Sequence, residues 1–379
     1  MFDSKRIRLT KPIIIAILLA ALVLSGCAGT RGWPATVSEG GTLYVGTLDG
    51  RVLALNPDSG SRKWDWQPTA KQGGQTASFL SCGAGGGGSS LAGGLLYGAP
   101  AIANGLVYVA FHTGMVYAID AVSGTQKWDY DLRSTVSGGV AVDNNTVFIG
   151  ASNGKFSALD AGSGSLKWEF STENEVWATP AVVNGVVYFG SLDHSFYALN
   201  AADGTKRWAF KTGGGIASTP LVDGGVVYIG SFDNKFYAID AGTGTRKWVF
   251  EGAGNWFWSE AVYGNGTVYA GCLDHKVYAM DAGSGSMVWT KPFDAGSLVR
   301  ASPVIAGEVL VVASEEGKVF GLDLKTGLEK WPDSIDLKSK ILSALYAVGG
   351  TVYINSQDNK LYALNGEIGR QVWGVPLSK

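Results

Sequence analysis

The sequence predicts an all-β chain, an eight-bladed β-propeller of four-stranded antiparallel blades, and three observations carry that prediction. One pattern recurs eight times and ends each time on a tryptophan: Trp64, Trp128, Trp168, Trp208, Trp248, Trp289, Trp331 and Trp373. From Trp128 onward the spacing is 40 to 42 residues, which suits one four-stranded blade. Composition agrees, since 55 glycines against 16% charged residues fit many short strands joined by tight turns, and no useful helical periodicity follows residue 27.

Residues 1–26 read as a targeting segment. Lys5, Arg6, Arg8 and Lys11 precede an apolar run over residues 13–24, followed by Leu24-Ser25-Gly26-Cys27. This resembles a bacterial lipoprotein signal with its lipobox. Twelve apolar residues are short for a bilayer span, and a cysteine after two small residues meets the needs of cleavage and lipidation; an ordinary signal peptide or a short membrane helix is the plainer alternative. The resemblance implies a mature chain that begins at lipidated Cys27, outside the cytoplasm, held by several acyl chains. Ala28 in place of aspartate favours the periplasmic side of an outer membrane where the cell has one, and otherwise the outer face of the cytoplasmic membrane. Residues 27–32 are then the lipidated cysteine and a linker, and five extended residues reach at most about 18 Å. The propeller, residues 33–379, is expected close to the membrane.

Within the copy at residues 186–208, VVYFGSLDHSFYALNAADGTKRW, two β-rich segments flank a tight turn at Asp193-His194. Asp49-Gly50, Asn153-Gly154, Asp233-Asn234 and Asp358-Asn359 hold the same place elsewhere. A turn role accounts for these aspartates without metal ligation. A second turn, at residues 200–204 here, leads into the tryptophan strand, whose indole is placed to wedge against the neighbouring blade. The fourth strand precedes the pattern, at residues 177–183, 217–222, 258–262 and 300–305. Blades 1 and 8 each have their own outer strand, near 63–66 and 371–375, so closure is expected by packing without strand exchange.

The motif Tyr-Ala-(Leu/Ile/Met)-(Asp/Asn)-Ala-x-x-Gly-x-x-x-Trp at residues 197–208, 237–248 and 278–289 resembles the PQQ-like β-propeller repeat of the quinoprotein-like folds. Two branches share it: large quinoprotein dehydrogenases and the BamB-like lipoproteins of outer-membrane protein assembly. The dehydrogenases are much longer and carry a vicinal cysteine pair and calcium-binding acidic residues. This chain has no adjacent cysteines, and its one sizeable insertion, residues 67–96, is Gly-, Ser- and Ala-rich with no acidic residue. The resemblance implies a BamB-like, non-enzymatic envelope scaffold for protein binding, with no cofactor, pyrroloquinoline quinone (PQQ) included. Its partners would be envelope or membrane proteins, an outer-membrane insertase among them. A PQQ- or small-ligand-binding envelope protein is the alternative.

Other chemistry has little footing. A net charge of −2 gives no field for nucleic acid. Residues 83–88 satisfy GxGxxG, yet no strand leads in and no helix follows, so they read as loop. Three histidines, His112, His194 and His275, form no ring and flank no nucleophile. Cys82 and Cys272 fit either a disulfide or two free thiols. The informative variable set is the start of each inner segment: Trp33, Tyr97, Ser137, Trp177, Ala217, Trp258, Arg300 and Leu342, with Trp256 and Glu260 beside Trp258. These should ring one mouth of the channel. Two readings fit them: bulky packing where blades converge, or an aromatic surface on which a partner or ligand docks.

Overall fold

The tryptophan repeat builds eight four-stranded antiparallel sheets, each with its strands in chain order. A computed structural model describes residues 32–69 and 94–378. Residues 1–26, Cys27, Cys82 and nearly all of the 67–96 insertion, including the glycines at 83–88, lie outside the described residues.

Blade 4 represents the set, with strands Ala181–Val183, Val186–Gly190, Ser195–Asn200 and Lys206–Lys211. The second strand is buried along its whole length and the third along all but its last residue, because both faces are covered by neighbouring blades. Near-continuous apolar runs such as VVYFG therefore replace the alternation of a half-exposed strand. The outer strand is the solvent edge and alternates between exposed and half-buried. A bulge between Ala198 and Leu199 sets the tryptophan opposite Ala198.

Two expectations about strands need correction. Inner strands are three residues long in blades 4 to 7, at Ala181–Val183, Leu221–Asp223, Val262–Gly264 and Val304–Ala306, so the four residues before each are extended chain without a ladder. In blades 4, 5 and 7 a proline, Pro180, Pro220 or Pro303, stands immediately before the strand and has no N–H to donate. Outer strands in blades 6 and 7 shrink to Phe293–Asp294 and Ile335–Asp336, while Met280↔Met287 and Leu322↔Glu329 survive as isolated bridges. Pro292, three residues after Trp289, and Pro332, directly after Trp331, interrupt the ladder there.

Each tryptophan ties its blade to the next. Trp64 Nε1 donates to Ala121 O at 3.0 Å, Trp128 to Ala161 O at 2.8 Å, and the series runs unbroken to Trp331 and Gly366 O at 3.1 Å. Trp373 closes the ring by donating to Pro57 O of blade 1 at 3.1 Å. Beside each accepting carbonyl a glycine with positive φ lies flat on the indole. At Gly369, φ +69°, a Cβ would come within 2.4 Å of the Trp331 ring. Six tyrosine hydroxyls from second strands reach the same carbonyls, among them Tyr108 to Ala161 O and Tyr353 to Pro57 O.

The seam between blades 8 and 1 is packed without strand exchange. Leu43, Val45, Leu53 and Leu55 share one buried cluster with Tyr353, Leu361, Ala363 and Leu377. Buried Arg51 latches it, bonding Leu377 O at 2.7 Å while pairing with Asp49 at 2.7 Å.

Trp331→Ala is expected to destabilise the protein by about 3–5 kcal/mol, the cost of a large side chain emptied from a closed site. Its ring is only 3% exposed. Gly369→Ala should cost more than about 1 kcal/mol through both the left-handed backbone and the indole contact. Urea titrations followed by tryptophan fluorescence measure both; wild-type midpoints for either variant would contradict the wedge.

Candidate functional site at the channel mouth

Burial alternates along the extended chain ahead of the inner strands of blades 4 to 8, which sets side-chain direction. Val176, Ala178 and Pro180 are buried between blades, while Trp177 and Thr179 keep solvent contact. Phe257, Ser259 and Ala261 against Trp258 and Glu260 repeat the pattern, as do Ile216 and Ser218 against Ala217, and Ile341 and Ser343 against Leu342. Trp33, Tyr97, Ser137 and Arg300 are likewise half-exposed. Residues of the first set pack the blades; those of the second line the lumen in tiers, with Glu260 one tier below Trp258. Side chains two apart on extended chain sit about 6–7 Å from each other.

Inter-blade loops and hairpin turns build the rim around these tiers. Backbone bonds lock them together: Leu192 N to Glu175 O, Phe232 N to Gly215 O, Leu273 N to Trp256 O, Glu315 N to Leu298 O and Gln357 N to Lys340 O, all at 2.7–2.9 Å. The hairpin aspartates act as clips. Asp193 Oδ1 accepts from Ser195 N in its own turn, and Oδ2 accepts from Tyr197 Oη at 2.7 Å and from Glu173 N of the incoming loop. Asp233 and Asp274 do the same with Tyr237 and Gly213, and with Tyr278 and Gly254. Burial alone would raise the Asp193 carboxyl, but these donors outweigh it and hold it low. The same burial and the aspartate push the Tyr197 hydroxyl up to about 12.

One arc of the mouth differs from the rest. Trp177 and Trp258, two blades apart, meet with ring centroids 6.5 Å apart and planes at 53°, and the corresponding residue of the blade between them is Ala217. Phe232 stacks on Trp256 at 4.4 Å and on Trp258 at 5.5 Å. Arg300 places its guanidinium 5.2 Å from the Trp258 ring centroid, and its Nε donates to Glu315 Oε2 at 3.2 Å. Lys340 Nζ reaches Glu315 Oε1 at 2.9 Å. Burial would raise the Glu315 carboxyl, and the two cations overcome it and hold it below its ordinary value. Burial raises Glu175, although the Trp177 indole approaches it; Trp177 Nε1 is itself buried without an acceptor in bonding geometry.

Opposite this arc, Trp33 and Tyr97 form a separate pair at 4.4 Å, with His112 against Tyr97 at 4.8 Å. His112 Nδ1 lies 2.8 Å from Val136 O. Phe232 and Glu315 escaped sequence reading because they lie on hairpins, and Glu175 and Lys340 because they fall two residues ahead of the inner-segment starts Trp177 and Leu342. Aligning the residue after the small one that opens each hairpin, Leu192, Phe232, Leu273 and Glu315 among them, would have exposed the variation. Cys272 is a free, buried thiol whose Sγ donates to Asn255 O at 3.2 Å, and Cys82 lies outside the described residues. Burial raises that thiol far out of the reactive range.

Comparison with known proteins places this geometry in context. The family model for outer membrane protein assembly factor BamB matches residues 66–178, 112–217, 174–297 and 273–379. No curated protein sequence matches the chain. The crystal structure of BamB from Moraxella catarrhalis superposes with a TM-score of 0.69 at 18% identity, covering 89% of this chain and 97% of that one. The computationally designed Ika8 protein gives 0.71 at 16% identity over 89% and 97%. Quinohemoprotein alcohol dehydrogenase ADHIIG from Pseudomonas putida HK5 gives 0.63 at 16%, over 74% of this chain and 66% of its own.

Burial pushes the Glu260 carboxyl up to about 7 from an ordinary 4.5. Between those values the folded chain keeps a proton that the unfolded chain has lost, so stability falls as pH rises from 4.5 to 7 and stays lowered above it. Glu260→Gln is expected to abolish a loss of about 1–3 kcal/mol, read as melting temperature at pH 5 and pH 8. Because their rings face the lumen, Trp177→Ala and Trp258→Ala should each cost at least about 1 kcal/mol less than Trp331→Ala. Equal costs in urea titrations would return both rings to a packing role.

Proposed function

Since the chain belongs to the family of outer membrane protein assembly factor BamB, we propose that it is a non-enzymatic envelope lipoprotein, anchored at Cys27, whose channel mouth holds partner proteins. The partners are envelope or membrane proteins of outer-membrane assembly, an insertase among them. The observation that carries this reading is the half-exposed aromatic arc of Trp177, Phe232, Trp256 and Trp258, flanked by the Arg300–Glu315–Lys340 ion-pair network, on a rim that backbone bonds hold rigid. Tryptophan and arginine give much contact area for little ordering entropy, and a preformed rim lowers the cost of docking.

A quinone-dependent oxidoreductase is the rival reading, because the quinohemoprotein dehydrogenases share the fold. The residues do not fit that cofactor. Among the described residues no three His, Cys, Asp or Glu side chains converge as a metal beside a quinone would need, and Glu260 is the only carboxylate in its tier of the lumen. The sequence has no adjacent cysteine pair. Support for the scaffold also comes from coverage: BamB of Moraxella catarrhalis is matched over nearly its full length, whereas a third of each dehydrogenase has no counterpart.

A photo-crosslinking residue at Trp256 or Phe232 is expected to capture an outer-membrane assembly protein in intact envelopes, and one at Tyr263, in an inner strand's far end, is not. Cys27→Ala should abolish incorporation of radiolabelled palmitate into the protein and leave the leader of residues 1–26 uncleaved, read as a larger apparent mass. Quinone absorbance together with alcohol oxidation, after incubation with PQQ and calcium, would overturn the reading.

A further inference from the structure

Glu260 and Glu175 are the charged groups of the arc without an ion pair among the described residues, and only Glu175 has an indole N–H, that of Trp177, directed toward it. Arg300 and Lys340 share Glu315, and the hairpin aspartates clip loops to turns. Glu260 has neither a hydrogen bond nor an ion pair among the described residues. It lies within the lumen below Trp258, and in its tier the adjoining blades present Thr219 and Ser302, which are neutral. An ionised carboxylate in such a place is stable only with a partner, and without one it holds its proton.

We propose that the lumen binds one organic ammonium group, with the Glu260 carboxylate as its counter-ion and the Trp177 and Trp258 rings as its walls. The two ring centroids lie 6.5 Å apart with their planes at 53°, so a single position can fall within about 6 Å of both, the reach of a cation–π contact. Arg300, seated 5.2 Å from the Trp258 centroid, is an internal precedent for cation binding by this ring. The sign of the ligand follows from what is already paired: both rim cations are committed to Glu315, and neither Glu260 nor Glu175 has a cationic partner among the described residues. One carboxylate among hydroxyls is too few donors for a divalent metal, and no cluster of three ligating side chains occurs among the described residues. A free amine and a lysine side chain offered by a docked partner present the same chemistry. The inference stands independently of which proteins dock.

The charged groups around the site are Glu175, Arg300, Glu315 and Lys340. Because burial holds the Glu260 proton up to about pH 7, an arriving ammonium displaces it, and binding strengthens as pH rises. From the ionised fraction, apparent affinity should be about tenfold higher at pH 8 than at pH 6.

The test is a tryptophan-fluorescence titration of the purified protein with n-butylammonium chloride against potassium chloride at equal ionic strength. Saturable quenching by the amine alone is expected, weakened about tenfold or more in Glu260→Gln. That variant removes a buried charge, so near-UV circular dichroism should show it folded. A lysine-containing peptide and its Nε-acetylated twin separate the two sources: tighter binding of the unmodified peptide than of butylamine assigns the site to a partner's lysine, and tighter binding of butylamine assigns it to a free amine. Quenching that does not saturate, that potassium reproduces, or that persists unchanged in folded Glu260→Gln overturns the proposal. Failure of the envelope crosslink would leave these outcomes untouched.

Discussion

The contact on which the structure depends is an indole laid across a glycine of the next blade, with its N–H given to a backbone carbonyl beside that glycine. It does two things at once. Apolar ring area is removed from water at the outer part of the inter-blade interface, and a carbonyl in a tight turn finds the donor it would otherwise lack. Because the donor always belongs to one blade and the acceptor to the next, the contact has a direction. Repeated from Trp64 to Trp331 it would generate an open stack; Trp373 meeting Pro57 makes it a ring. Closure therefore needs no shared strand.

Once the outer parts of the blades are pinned this way, the inner ends have a different problem. They converge where there is no room for a full ladder, and the chain answers by shortening the inner strands and by fixing loops to hairpins with backbone bonds and aspartate clips. The consequence is a rim whose backbone is rigid and whose side chains are free to vary. The arc of blades 4 to 7 carries stacked aromatics and an ion-pair network, whereas blade 3 presents Ser137 and the far side the Trp33–Tyr97 pair with His112 against it.

Blade number, strand content and the pairing of turns with strands were legible because they rest on local, repeated signals. A tryptophan every 40 to 42 residues from Trp128 onward, glycine before it, and Asp-Asn or Asn-Gly pairs at hairpins each have a short-range physical cause. The inner strands were read too long, since apolar residues near the channel look like strand whether or not a ladder continues, and the prolines that stop it are visible only as single positions. The short outer strands of blades 6 and 7 were missed for the same reason, with Pro292 and Pro332 breaking a pattern that the tryptophans themselves preserve.

The candidate site divides along that line. By itself the sequence determined which residues begin each inner segment, and therefore that Trp177, Trp258, Arg300 and Glu260 belong to one end of the channel, because a strict repeat converts position in the chain into position on the ring. Only the tertiary structure decided which of them meet. Trp177 reaches Trp258 two blades away, Phe232 enters from a hairpin, and Glu315 arrives from another to take both cations and leave Glu260 unpaired. Those contacts join segments that no repeat relates, and they arise from side-chain size and charge at the crowded hub, where three dimensions, and not spacing along the chain, set the neighbours.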